Sequence, residues 1–202
     1  MKKLVISFLI GILLISMTAC GNEAVEKDVK AKFSNSVFIG DSITEGFAFN
    51  EILPKENVMA GAGATAGYIY EEYMNNLAQN KWDNVFIMLG SDDMLMPVDD
   101  PKELFKNDLI KLIQKINLEL PNSKIYIQSI TPVTQDALKR EPRYKRIEEY
   151  NVLLKELADK LSVTYVDIGA LSKGKPDLFA EDGIHFKKEF YQLWLKKLSK
   201  SL

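Results

Sequence analysis

A serine hydroxyl attacks a carbonyl at neutral pH only when a base takes its proton, and imidazole has the suitable pKa. The chain contains one histidine, His185, in the stretch Asp182-Gly183-Ile184-His185. Ser42 is its natural counterpart. It follows the apolar run Val37 to Ile39 in Gly40-Asp41-Ser42-Ile43-Thr44-Glu45-Gly46, a glycine-containing turn that leads into a helix start. A hydroxyl there is exposed at a strand's end, beside the free N–H groups and positive pole of the helix. The same spacing admits a second reading, in which Ser42 caps the helix and Glu45 completes a capping box. If histidine activates Ser42, His185 is the base. Asp182, three positions earlier, then holds the imidazole in the right tautomer and stabilises its protonated form.

These residues need a scaffold that brings positions 42 and 185 together. Short apolar runs at Val37 to Ile39, Val58 to Met59, Val85 to Leu89, Ile125 to Ile127 and Val163 to Val166 read as buried strands. Amphipathic segments fill the intervals. The clearest carries Phe105, Leu109, Leu112, Ile113, Ile116 and Leu120 on one face; another runs from about Tyr144 to Leu161, and the last begins near Lys187. Strand and helix in alternation predict right-handed crossovers and an α/β fold with a mostly parallel five-stranded sheet between helices. Its ligand site is expected beyond the carboxyl ends of the strands. No internal repeat or second domain is visible.

Two blocks resemble those of the SGNH or GDSL hydrolases: Phe38 to Gly46 the first, with Ile43 in place of the eponymous leucine, and Asp182 to His185 the last. The resemblance spans Val37 to the final helix. It implies a three-layer, flavodoxin-like α/β/α sandwich and ester hydrolysis through an acyl-enzyme, with Ser42, Asp182 and His185 as triad. It also implies an oxyanion hole made of the Ser42 N–H, a glycine N–H and an asparagine side chain. Gly63, followed by Thr65, aligns best with the glycine, and Gly61 is the fallback; a flexible turn before a helix at Tyr68 would use glycine equally well. The asparagine position departs from the family. Gly90-Ser91-Asp92-Asp93 places Asp92 there, and an ionised carboxylate only accepts hydrogen bonds. Three outcomes are open: slower turnover on two backbone donors, an Asp92 kept neutral by burial beside Asp93, or a protein that binds acyl-glycans without cleaving them.

The remaining features concern place and partners. Lys2 and Lys3 precede the apolar run Leu4 to Met17, too short for a membrane-spanning helix and suited to a signal peptide over residues 1–19. Met17-Thr18-Ala19-Cys20 resembles a bacterial lipobox, which implies cleavage before Cys20 and diacylglycerol on its sulfur. Residues 20–34 then read as lipidated cysteine and polar tether, and 35–202 as the hydrolase domain. The expected location is outside the cytoplasm, held to the membrane by lipid. Cys20 is the only cysteine, so no intramolecular disulfide is possible. A net charge of −2, with 26 basic against 28 acidic residues and no basic stripe, argues against a nucleic-acid partner. No metal or cofactor is called for: the pairs Asp92-Asp93 and Asp99-Asp100 lack calcium-loop spacing, and no glycine loop followed by lysine offers a phosphate cradle. Met94 to Val98 could line an acyl pocket or pack as a loop. Location and family breadth favour O-acetylated carbohydrate or other short-chain esters as substrate, with lysophospholipid or other lipid esters second.

Overall fold

The computed structural model describes residues 28–202, so the expected signal peptide, Cys20 and the expected tether up to residue 27 lie outside the described residues. Five parallel strands form one sheet: β1 (Ser36–Gly40), β2 (Val58–Ala60), β3 (Asn84–Met88), β4 (Lys124–Gln128) and β5 (Thr164–Val166), in the order β2-β1-β3-β4-β5. All five expected strands are present. The helices that follow β1 are α1 (Ser42–Phe49), α2 (Ala66–Leu77), α3 (Pro101–Glu119), α4 (Gln135–Arg140), α5 (Ile147–Leu161) and α6 (Lys188–Leu198). The chain order reverses at β1, between β2 and β3, which opens a crevice at the carboxyl ends of those strands.

Strand periodicity sorts the core into two layers. Val37, Ile39, Val85, Ile87, Ile125 and Ile127 face α2, α3 and α5. Phe38, Phe86, Met88, Tyr126 and Val166 face α1 and α6. The three-layer α/β/α sandwich follows from this division. Register pairs Phe38 with Phe86 and Phe86 with Tyr126, and the rings stack across the sheet at 4.8 and 4.6 Å between centroids. Trp194, Phe190 and Tyr191 of α6 complete this aromatic layer against Phe47 of α1.

Three differences from the sequence reading have physical causes. The expected tether through residue 34 ends sooner, because Phe33 is fully buried against Phe38 and Phe86, at 5.7 and 5.6 Å between ring centroids. Asn57 fastens this entry with its side-chain amide, which donates 2.7 Å to the Ser36 carbonyl and 3.4 Å to that of Phe33. The helix expected from Tyr144 is a 3-10 turn over Pro142–Arg146 before α5 begins at Ile147. The Glu141 side chain caps that turn by accepting from Arg143 N–H at 3.1 Å. Helix α4, six residues with Ala137 as its one buried member, is too short to show a hydrophobic period.

Candidate active site

Beyond β1 the chain turns sharply into α1. Gly40 is required there by space: a Cβ would stand 2.5 Å from the Met88 carbonyl oxygen and closer still to Thr44. The cap of α1 is Asp41, whose Oδ1 accepts from Ile43 N–H at 2.9 Å. The capping role considered for Ser42 is therefore filled by its neighbour. Ser42 becomes the first helical residue, half-buried, with its hydroxyl free for other partners.

His185 supplies that partner from the far end of the chain. Its Nε2 lies 2.8 Å from Ser42 Oγ, and its Nδ1 lies 2.6 Å from Asp182 Oδ2. An ionised carboxylate only accepts, so Nδ1 carries the proton and Nε2 presents its lone pair to the Ser42 hydroxyl. Burial opposes ionisation of Asp182. The His185 ring and the N–H groups of Ile184 and His185, each 2.9 Å from Oδ1, outweigh it, and the carboxyl is held below its ordinary pKa. All three expected triad residues are thus brought into one hydrogen-bonded row.

The loop bearing His185 is tightly built. Gly183 has φ +71, and a Cβ on it would stand 2.0 Å from Thr134 Oγ1. Thr134 N–H donates to the Gly183 carbonyl at 2.9 Å, and the Arg140 guanidinium donates to the Asp182 carbonyl. Helix α4 and its cap therefore brace the loop from outside. On the inner side Ala180 N–H donates to the His185 carbonyl at 2.9 Å. Sequence reasoning missed this brace, since α4 carries no motif.

The oxyanion candidates stand on the loops flanking Ser42. Gly63 is exposed beyond β2 with φ +74, and no atom lies within 4 Å of where its Cβ would be, so its peptide is unobstructed. Gly61 is half-buried nearby, with Tyr73 Oη 3.8 Å from its Cβ position. Asp92 lies beyond β3, partly buried. Burial raises its carboxyl pKa, and the neighbouring His185 partly offsets this.

Two more carboxyls underlie the site. Asp41 is fully buried and accepts a hydrogen bond from Ser91 Oγ through Oδ2. Burial pushes its pKa from 3.8 to about 7; Ser91 opposes this and Asp92 adds to it. Asp93 accepts from Ala66 N–H at 2.9 Å, hooking the start of α2 to the β3 loop, while its Oδ2 finds no protein partner. Burial raises it to about 7 as well. Met94, considered as a pocket residue, is 1% exposed and belongs to the core.

A cleft of about 580 Å³ opens beside Ser42 and His185, bordered by Glu45, Phe49, Lys55 and Phe186. It runs along α1 from the reactive hydroxyl.

Residues 38–193 match the model of the GDSL-like lipase/acylhydrolase family. No curated protein shows significant sequence similarity to the chain. Solved structures share the fold. A GDSL-like lipase from Bacteroides thetaiotaomicron VPI-5482 is 15% identical, with a TM-score of 0.65 over 87% of this chain and 88% of that one. A catalytic mutant of an acetylxylan esterase from Geobacillus stearothermophilus is 16% identical, with a TM-score of 0.60 over 81% and 91%. Another acetyl xylan esterase gives 16% and 0.61 over 83% and 99%.

Proposed function

Since the chain belongs to the GDSL-like lipase/acylhydrolase family and is a hydrolase acting on esters, we propose that Ser42, His185 and Asp182 carry out that hydrolysis through an acyl-enzyme. The observation that carries this reading is the row Ser42 Oγ, His185 Nε2, His185 Nδ1, Asp182 Oδ2, at 2.8 and 2.6 Å. Ser42 Oγ attacks the ester carbonyl while its proton passes to His185 Nε2, and the carbonyl oxygen takes up the negative charge. His185 then gives that proton to the departing alkoxide, leaving the acyl group on Ser42. Water enters, loses a proton to His185 and attacks the acyl carbon. The second tetrahedral intermediate collapses as the Ser42 oxygen recovers the proton, and a carboxylic acid leaves.

The oxyanion meets the Ser42 N–H at the start of α1, the Gly63 N–H and the Asp92 carboxyl in its protonated form. Each such donor is worth about 3 kcal/mol in the transition state. Burial raises the Asp92 carboxyl and His185 opposes it, so donation from Asp92 grows as pH falls.

The proposed substrate is an O-acetylated carbohydrate. The cleft beside Ser42 is open and edged by charged side chains, and two structures with this fold are acetylxylan esterases. The proposed place is outside the cytoplasm, with the domain held to the membrane by diacylglycerol on Cys20; its support is the sequence Met17 to Cys20 behind a basic and then apolar leader.

The direct test is p-nitrophenyl acetate hydrolysis by the full-length protein and by its Ser42→Ala and His185→Ala variants. Turnover that vanishes in both supports the triad. A folded wild type that turns over no ester of any acyl length would move the protein to the acyl-glycan-binding reading.

A further inference from the structure

Helix α1 carries more than the nucleophile. Ser42, Glu45, Gly46 and Phe49 follow one another at spacings of three, one and three residues, so they share one face of the helix, and all four line the cleft. At 1.5 Å per residue, Phe49 lies about 10 Å along the axis from Ser42. Phe49 is 86% exposed, the most exposed large apolar side chain among the described residues. The cleft it borders combines apolar walls from Ala48 and Phe186 with the polar side chains Glu45, Asn50 and Lys55. Neither Glu45 nor Lys55 forms an ion pair among the described residues, so both heads are available to a ligand.

The turn after α1 sets where Phe49 stands. Asn50 closes α1 by donating from its side chain to the Gly46 carbonyl at 2.8 Å. Glu51 then takes φ 57, a left-handed conformation unfavourable for glutamate, and the chain folds back so that Ile52 and Leu53 N–H both reach the Phe47 carbonyl. Ile52 and Leu53 are buried by this turn while Phe49 is left outside.

We infer that Phe49, with Glu45 and Lys55, forms a sugar subsite on which a pyranose ring of an acylated oligosaccharide stacks while its neighbour's ester is attacked at Ser42. This rests on the serine esterase reading for the position of the ester. An exposed ring with a carboxylate and an ammonium on the same open cleft suits a sugar, whose C–H face packs on the aromatic face while its hydroxyls reach Glu45 and Lys55. An acyl chain would call for an enclosed apolar slot instead. The separation along α1 leaves room for the acylated sugar between Ser42 and the stacked ring, so the subsite selects chains of two or more sugars.

The test uses full-length protein with acetylated xylo-oligosaccharide and p-nitrophenyl acetate as probes. Phe49→Ala is expected to lower the ratio of kcat/KM on the oligosaccharide to that on p-nitrophenyl acetate at least tenfold, chiefly through KM. Phe49→Trp is expected to restore it. Calorimetric binding of the oligosaccharide to the Ser42→Ala protein, with and without Phe49→Ala, needs no turnover and decides the matter even if the esterase reading fails. An unchanged ratio, or no oligosaccharide binding in the presence of Phe49, overturns the subsite. So does a loss that appears on p-nitrophenyl octanoate instead, which would assign the ring to acyl chains.

Discussion

The hydroxyl of Ser91 donates to the carboxyl of Asp41, tying the turn after β3 to the turn after β1 directly beneath Ser42. Two side chains from different loops therefore share one buried patch, and the charge state of Asp41 concerns both the cap of α1 and the level of Ser42.

That charge state predicts a pH dependence of stability. Folding raises the pKa of Asp41 from 3.8 to about 7, and that of Asp93 likewise. Between those values the folded chain holds protons that the unfolded chain has released. Stability from these groups is thus fully present below about pH 4 and is lost as pH rises through 7. Urea midpoints at pH 4.5, 6 and 8 should decline in that order. Asp41→Asn keeps the acceptor for Ile43 N–H and should flatten the slope; an equally steep slope in the variant would show that Asp41 does not titrate there.

Asp182→Asn should leave the fold intact and lower kcat by about 10³- to 10⁴-fold. The amide can still accept from Ile184 and His185 N–H. It would place donor hydrogens against His185 Nδ1, however, and favour the tautomer with the proton on Nε2, which cannot take one from Ser42. Nitrophenyl ester kinetics beside a circular-dichroism melt separate the two effects.

Gly183→Ala should lower the melting temperature and kcat together. Its φ of +71 strains alanine, and the new methyl would meet Thr134 Oγ1 at 2.0 Å and Thr134 Cβ at 3.0 Å. The cost is about 1–3 kcal/mol, delivered to the loop that aims His185. Full stability with normal turnover would mean that the loop relaxes without moving the imidazole.

Asp92→Asn should change the shape of the pH profile as well as its height. A carboxyl donates only while protonated, whereas an amide donates at every pH. The ratio of variant to wild-type kcat/KM should therefore rise as pH increases. A ratio constant with pH would place Asp92 out of reach of the oxyanion.

Cys20→Ala should release the protein from the membrane fraction without altering the activity of the domain. Fractionation followed by nitrophenyl acetate assay reads both quantities. A variant that stays membrane-bound would remove the lipid anchor from the proposal.

Much of this site is readable in the chain before it folds, for a particular reason. With one histidine present, the residues that pair across 143 positions are nearly determined once Ser42 is singled out. The strands are legible because both faces of the sheet are buried, which makes each a continuous apolar run. What escaped is what depends on contacts between loops. Nothing local marks Ser91 as the partner of Asp41, or Thr134 as the brace of Gly183. Phe33 is a single aromatic in a polar stretch, and only the pocket formed by Phe38 and Phe86 reveals it as core. The choice between Asp41 and Ser42 as cap turns on which residue keeps an extended backbone before the helix starts, to which spacing is blind.

Phe33 also fixes where the chain joins the domain relative to the site. Sealed against the start of β1, it marks where the chain enters the domain, whereas Ser42 stands past the other end of that strand, about 17 Å further on. Chain entry and chemistry thus lie at opposite ends of β1. Under the anchoring proposed at Cys20, the tether would reach the domain at the end of β1 away from Ser42.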